Sequence, residues 1–82
     1  MQISPNPASD KTVNISFNLI EKGSTKIGIY NSNGYMKEEF DVTGKTGIIN
    51  LQFQTDKFES GMYFIQLTTP TIFEIQKLII VK

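Results

Sequence analysis

The stretch that decides the fold is Thr12 to Leu19, which reads TVNISFNL and carries an apolar residue at every second position. Side chains along a β-strand point alternately to the two faces of a sheet, so this alternation predicts a strand with one buried face. We expect the asparagine and serine side chains to face solvent. The apolar set that we expect to face the core is Val13, Ile15, Phe17 and Leu19.

The same alternation recurs along most of the remaining chain, where turn-forming residues separate the segments. It predicts strands at about 26–31, 35–40, 48–53, 62–68 and 72–81, and residues 2–4 are expected to add an edge strand. The sequence shows no capped helical period, so we expect no helix beyond a turn around Asp56 to Ser60. The further residues that we expect to be buried are Ile27, Ile29, Phe53, Tyr63, Ile65 and Leu67.

Short strands at regular spacing are typical of a sandwich or barrel. We therefore predict an all-β fold, an immunoglobulin-like two-sheet antiparallel sandwich of about seven strands, as a single domain over residues 1–82. Asn33-Gly34 is the dipeptide that best tolerates positive φ, so it predicts a two-residue type I′ hairpin with Gly34 at positive φ.

Composition excludes several classes of function. Eight lysines balance eight acidic residues, and arginine, which forms bidentate contacts with phosphate and guanine, is absent, so we expect no nucleic-acid partner. Histidine and cysteine are also absent and the carboxylates are scattered, so we expect no catalysis, metal or other cofactor. The longest apolar run, Leu78 to Val81, is far shorter than the ~20 residues that span a bilayer, so we expect no membrane insertion.

The last strand carries the strongest indication of an interaction. From Leu78 to Val81 both faces are apolar, whereas a strand with one solvated face should alternate. Either this segment is central and covered on both faces, or it leaves an apolar, edge-like surface for a partner. A separate hypothesis is a carbohydrate-binding or adhesive module of a secreted enzyme, with a sugar-stacking platform formed by Tyr30, Tyr35, Tyr63 and Phe64. The alternative for these aromatic residues is packing within the sheets.

Four short motifs occur in a characteristic order along the chain. They are Pro5-Asn6-Pro7, Asn33-Gly34, Ser60-Gly61-Met62-Tyr63 and the final segment KLIIVK, Lys77 to Lys82. In this order and spacing the chain resembles the C-terminal sorting domain of the type IX secretion system, type A. The resemblance implies a secretion signal that directs a cargo protein through the outer membrane of a Gram-negative bacterium.

The resemblance also implies partners and a route. The partners would be the outer-membrane translocon, its shuttle components and a sorting peptidase, and the domain would pass through the periplasm to the cell surface or medium. We interpret Met1 as an artificial start, and we expect any export signal to lie outside these residues. We expect the isolated domain to be a monomer or weak dimer. The candidate residues for translocon recognition are Pro5, Asn6, Pro7, Gly61, Tyr63, Lys77, Leu78, Ile79, Ile80, Val81 and Lys82.

Overall fold

The computed structural model describes residues 1–9 and 11–82, and within them it contains seven strands and one short 3-10 helix. The 3-10 helix, Thr55–Lys57, lies at the predicted turn. The strands are β1 Gln2–Ser4, β2 Thr12–Leu19, β3 Lys26–Asn31, β4 Met36–Asp41, β5 Gly47–Gln54, β6 Gly61–Thr68 and β7 Phe73–Ile80.

The seven strands form two antiparallel sheets that pack as a sandwich. One sheet has the order β1-β2-β5 and the other the order β4-β3-β6-β7. The predicted all-β sandwich is therefore confirmed, including the edge strand at Gln2–Ser4.

The core lies between the inner faces of the two sheets. Every residue that the alternation predicted to be buried is buried, and β2 shows the expected pattern, with Val13 and Ile15 fully enclosed. Ile49, which alternation places on the same face as Phe53, is also buried. Alternation could not assign residues outside clear strands or in the apolar last strand. The buried apolar residues that it missed are Ala8, Val42, Phe58, Leu78 and Ile80.

A tyrosine at the start of β6 fixes the passage from one sheet to the other. The hydroxyl of Tyr63 donates to the carbonyl oxygen of Glu59, four residues upstream, at 2.7 Å. The rings of Phe53 and Tyr63 both pack against Phe58, each with centroids 5.3 Å from it. This arrangement matches the tyrosine corner of immunoglobulin-like sandwiches.

The turn between β3 and β4 differs from the predicted type I′ hairpin. Gly34 has the expected positive φ, 88°, but Asn33 does not, and a type I′ turn requires both. The backbone N–H of Asn31 donates to the carbonyl oxygen of Tyr35 at 2.9 Å, which leaves a loop of three residues. The side-chain Oδ1 of Asn31 accepts the N–H groups of Asn33 and Tyr35, both at 3.0 Å, and thereby stabilises the longer loop.

The last strand is shorter than predicted and is not central. Strand β7 runs over Phe73–Ile80 and, among the strands that the structure describes, pairs with β6 alone, so it is an edge strand of its sheet. The two faces of its apolar run have different surroundings. Leu78 and Ile80 point into the core, whereas Ile79 lies half-buried on the outer face.

Candidate recognition site at the edge of β7

Residues near the two ends of the sequence meet along the edge of β7. Ala8 forms a parallel bridge with Ile80. The N–H of Ala8 donates to the carbonyl of Ile79 at 2.6 Å, and the N–H of Val81 donates to the carbonyl of Ala8 at 2.8 Å. We call this unit, Pro5 to Ala8 together with Lys77 to Lys82, the clasp.

The side chain of Asn6 continues the same pairing. Its Nδ2 donates to the carbonyl of Lys77 at 2.9 Å, and its Oδ1 accepts the N–H of Ile79 at 3.2 Å. A carboxamide carries both a donor and an acceptor, so one asparagine can satisfy both groups of an extended backbone. The Pro5-Asn6-Pro7 motif thus covers backbone groups of β7 that a sheet edge would otherwise leave open.

Strand β6 connects the remaining candidate residues to the clasp. Gly61 pairs with Ile80, and Tyr63 pairs with Leu78. Gly61 has a φ of 153°, and no atom lies within 4 Å of the position that a Cβ would occupy there, so the backbone angle is what favours glycine. The structure therefore brings all the residues predicted for translocon recognition into one region.

Burial divides these residues into two groups. Tyr63, Leu78 and Ile80 lie in the core. Within this region the exposed positions are Asn6, Pro7, Gly61, Lys77, Val81 and Lys82. The second group, with half-buried Pro5 and Ile79, presents side chains or backbone that a partner protein can contact.

A small apolar strip lies on the outer face of the sheet and shares two residues with the clasp. Met62 pairs with Ile79 across β6 and β7, and Met62 is 39% exposed. Val81 follows Ile79 two residues later in the chain and is 49% exposed. We call Met62, Ile79 and Val81 the outer strip.

Lys82 is held against the turn that precedes β6. Its backbone N–H donates to Ser60 Oγ at 2.9 Å, and its Nζ donates to the carbonyl oxygen of Asp56 at 3.2 Å. Sequence reasoning singled out Lys82 but missed Ser60 and Asp56 as its structural neighbours. No local pattern marks them, because they lie 22 and 26 residues away from Lys82 in sequence.

The hypothetical aromatic platform is only partly present. Tyr63 is buried in the core, so it cannot contribute to a sugar-binding surface. Tyr30 and Phe64 pair directly across β3 and β6 on the outer face and are half-buried, while Tyr35 is 70% exposed. The ring of Tyr30 lies over Gly28, where a Cβ would come within 2.7 Å of Tyr30 Cε1, so this ring has a packing role.

The side chains with shifted pKa values lie apart from one another and do not form one site. Burial, with a smaller contribution from the charge of Glu59, raises the pKa of Tyr63. Hydrogen bonds from Thr69 and Thr71 lower the pKa of Glu21, and those from Thr43 lower the pKa of Asp41.

Among the residues that the structure describes, no three acidic, histidine or cysteine side chains cluster in a way that could hold a metal ion. No helix within the described part is long and apolar enough to cross a membrane.

Comparison with known families assigns the chain. The model of the secretion system C-terminal sorting domain matches residues 2–82, a range that includes both halves of the clasp. The chain belongs to this family. No curated protein matches the chain significantly. The predicted membership in the type IX sorting domains is thus confirmed, and it implies export to the cell surface or extracellular space.

Proposed function

We propose that this sorting domain is a non-catalytic signal that directs a cargo protein through the outer membrane by the type IX translocon. The observation that carries the proposal is the clasp. Two of the four family-like motifs, which lie near opposite ends of the sequence, join at one sheet edge and form a single surface with the Ser60-Gly61-Met62-Tyr63 corner.

The clasp suits a signal that is recognised only when folded. Asn6, Pro7, Val81 and Lys82 are exposed, but their arrangement depends on the backbone pairing of Ala8 with β7. Buried Tyr63, Leu78 and Ile80 act indirectly in this account, because they hold the exposed residues in place. A translocon or shuttle component would contact the clasp and the outer strip together.

The proposal includes a route, which the family membership supports. The domain passes through the periplasm with its cargo, is recognised by shuttle components and the translocon, and reaches the cell surface or medium. A sorting peptidase acts near Pro5-Asn6-Pro7, at the boundary with the cargo. That segment covers β7, so cleavage on its cargo side leaves the clasp intact.

The test fuses the domain behind a periplasm-targeted reporter, with Lys82 as the last residue, in a host that has the type IX machinery. Deleting Lys77 to Lys82 is ambiguous, because it removes buried Leu78 and Ile80 and unfolds the domain. A short polar tail after Lys82 is the better change. The matched control inserts the same tail in the exposed turn at Gly44-Lys45.

We expect the tailed domain to melt like the unmodified one but to leave its reporter in the periplasm, while the control insertion is still exported. Equal export of the folded variants in cells with and without the translocon contradicts the proposal. The competing hypothesis of a carbohydrate-binding accessory module would then be favoured, and Tyr30 and Phe64 would be the residues to test for glycan affinity.

A further inference from the structure

The two sheets have four edge strands, and three of them are protected against pairing with another chain. β1 has only three residues and is followed by Pro5. β4 carries four charged residues among its six, Lys37, Glu38, Glu39 and Asp41, and its pairing with β3 contains a register shift. β7 carries two charged residues among its eight, and Asn6 and Ala8 cover its second half. Short length, charge, bulges and covering segments are the usual ways to block edge pairing.

Strand β5 has none of these protections. Gly47–Gln54 contains eight residues, GIINLQFQ, with neither a charge nor a proline. Its pairing with β2 is continuous from Gly47 to Gln54, without a register shift. Among residues 1–9 and 11–82, none pairs with the outer side of β5. A long, neutral, regular edge strand recruits other strands.

We propose that β5 is a docking edge for a second copy of this domain, in an antiparallel pair related by a two-fold axis through Leu51. This inference is independent of the proposed secretion function. The pairing would join the two three-stranded sheets into one continuous sheet of six strands, with the order β1-β2-β5-β5-β2-β1.

The sequence of β5 complements itself in this register. On the inner face, Leu51 meets its own copy and Ile49 meets Phe53. On the outer face, Asn50 meets Gln52, so each contact joins two carboxamides, which donate and accept hydrogen bonds. Opposite residues of an antiparallel pair point to the same face, so the inner-face contacts are all apolar. On the outer face the register also places Ile48 opposite Gln54, towards the ends of the paired segment.

The exposure of Leu51 favours a second copy as the occupant. Leu51 points toward the core but is only half-buried, because it lies on the edge strand, and its copy would cover it. The paired segment is uncharged, so the two copies do not repel each other there. An edge contact is much smaller than the ~1,200–2,000 Å² of stable interfaces, so the dimer is weak and concentration-dependent.

The test is sedimentation equilibrium of the 82-residue chain from roughly 10 μM to 1 mM, a range suited to weak affinities. The variant N50K/Q52K places lysine opposite lysine twice in the proposed register. We expect it to weaken the dimer at least about tenfold. The variant N50E/Q52K places glutamate opposite lysine twice, and we expect it to restore the affinity to within about threefold of the wild type.

The matched control is N14K/N18K, which adds the same charge to the same sheet face on the central strand β2. We expect its dimer affinity to stay within about threefold of the wild type, and thermal melts check that all variants fold. A wild-type chain that stays monomeric across the range overturns the proposal. The proposal is also overturned if the N50K/Q52K variant dimerises as strongly as the control, or if the N50E/Q52K variant does not recover the dimer affinity. Association that continues beyond a dimer would overturn it as well.

Discussion

Strands β5 and β7 are both eight-residue edge strands, yet they differ in whether another segment covers their open edge. The edge of β7 is covered by Asn6 and Ala8, which bond to its backbone near Ile79. The outer edge of β5 has no such cover within the described residues. The covered edge lies in the region where the family-like motifs meet, and the open edge lies in a segment without such a motif. The difference indicates that the covering segment serves both to protect the edge and to build the candidate recognition surface.

The largest expected difference between the two strands concerns their buried side chains. Ile80→Ala removes a clasp side chain that is 1% exposed and packs in the core, and it should lower the free energy of unfolding by ~2–5 kcal/mol. Leu51→Ala on the half-buried open edge should cost clearly less, about 1–2 kcal/mol. Urea denaturation of both variants measures the difference. Equal losses would show that the two edges are packed alike.

A glycine away from both edges provides a local reference. Gly34→Val forces a β-branched residue into a φ of 88°, while no atom within 4 Å would clash with its Cβ. We expect a loss of ~1–2 kcal/mol in the free energy of unfolding from backbone strain alone. Chemical denaturation, with backbone NMR shifts to show that the change stays local, checks this value. An unchanged stability would contradict the positive φ at the turn.

The contribution of Asn6 tests the cover directly. Asn6→Ala removes two hydrogen bonds to the backbone of β7, and because both are exposed we expect a loss of about 1 kcal/mol. Asn50→Ala on β5 is the control, since it removes an exposed amide on the open edge and should cost under about 0.5 kcal/mol. Hydrogen exchange should show faster exchange at the amide of Ile79 in the first variant. If both variants lose the same stability, Asn6 does not hold the clasp.

The smallest effect concerns the tyrosine corner next to the clasp. Burial and the charge of Glu59 raise the pKa of Tyr63, so the folded state holds this proton more tightly than the unfolded state. The resulting stabilisation is fully present below the unfolded pKa of about 10 and is lost as pH rises through the folded pKa. We expect the free energy of unfolding to fall more steeply at alkaline pH in the wild type than in Tyr63→Phe. Parallel slopes would contradict this assignment.

The faces of the strands were predictable because alternation is a local property. Val13, Ile15 and Phe17 took their expected places, and Gly34 has its expected φ. The hairpin type was not predictable from Asn33-Gly34 alone, because the side chain of Asn31 stabilises a longer loop. The clasp was not predictable either, since its pairing joins Ala8 to Ile80 and no local spacing encodes such a contact.

The candidate residues of the recognition site were therefore available from the motifs, but their assembly was not. Leu78 to Val81 showed that both faces of the last strand were apolar, without distinguishing a central strand from an edge strand. The structure resolves this through Asn6 and Ala8, which extend the sheet beyond β7. A segment that lies between β1 and β2 in sequence and covers β7 cannot be recognised from period-2 alternation.

The central claim, that export depends on the clasp surface, is tested most directly by two charge reversals on exposed lysines. Lys82→Glu changes the clasp and Lys45→Glu changes a turn outside it, and both should shift stability by less than ~0.5 kcal/mol. The measurement is the fraction of a fused reporter at the cell surface, in hosts with and without the type IX translocon. Our account predicts that Lys82→Glu loses export while it remains folded and that Lys45→Glu is exported like the wild type. Equal export of the two variants would contradict it.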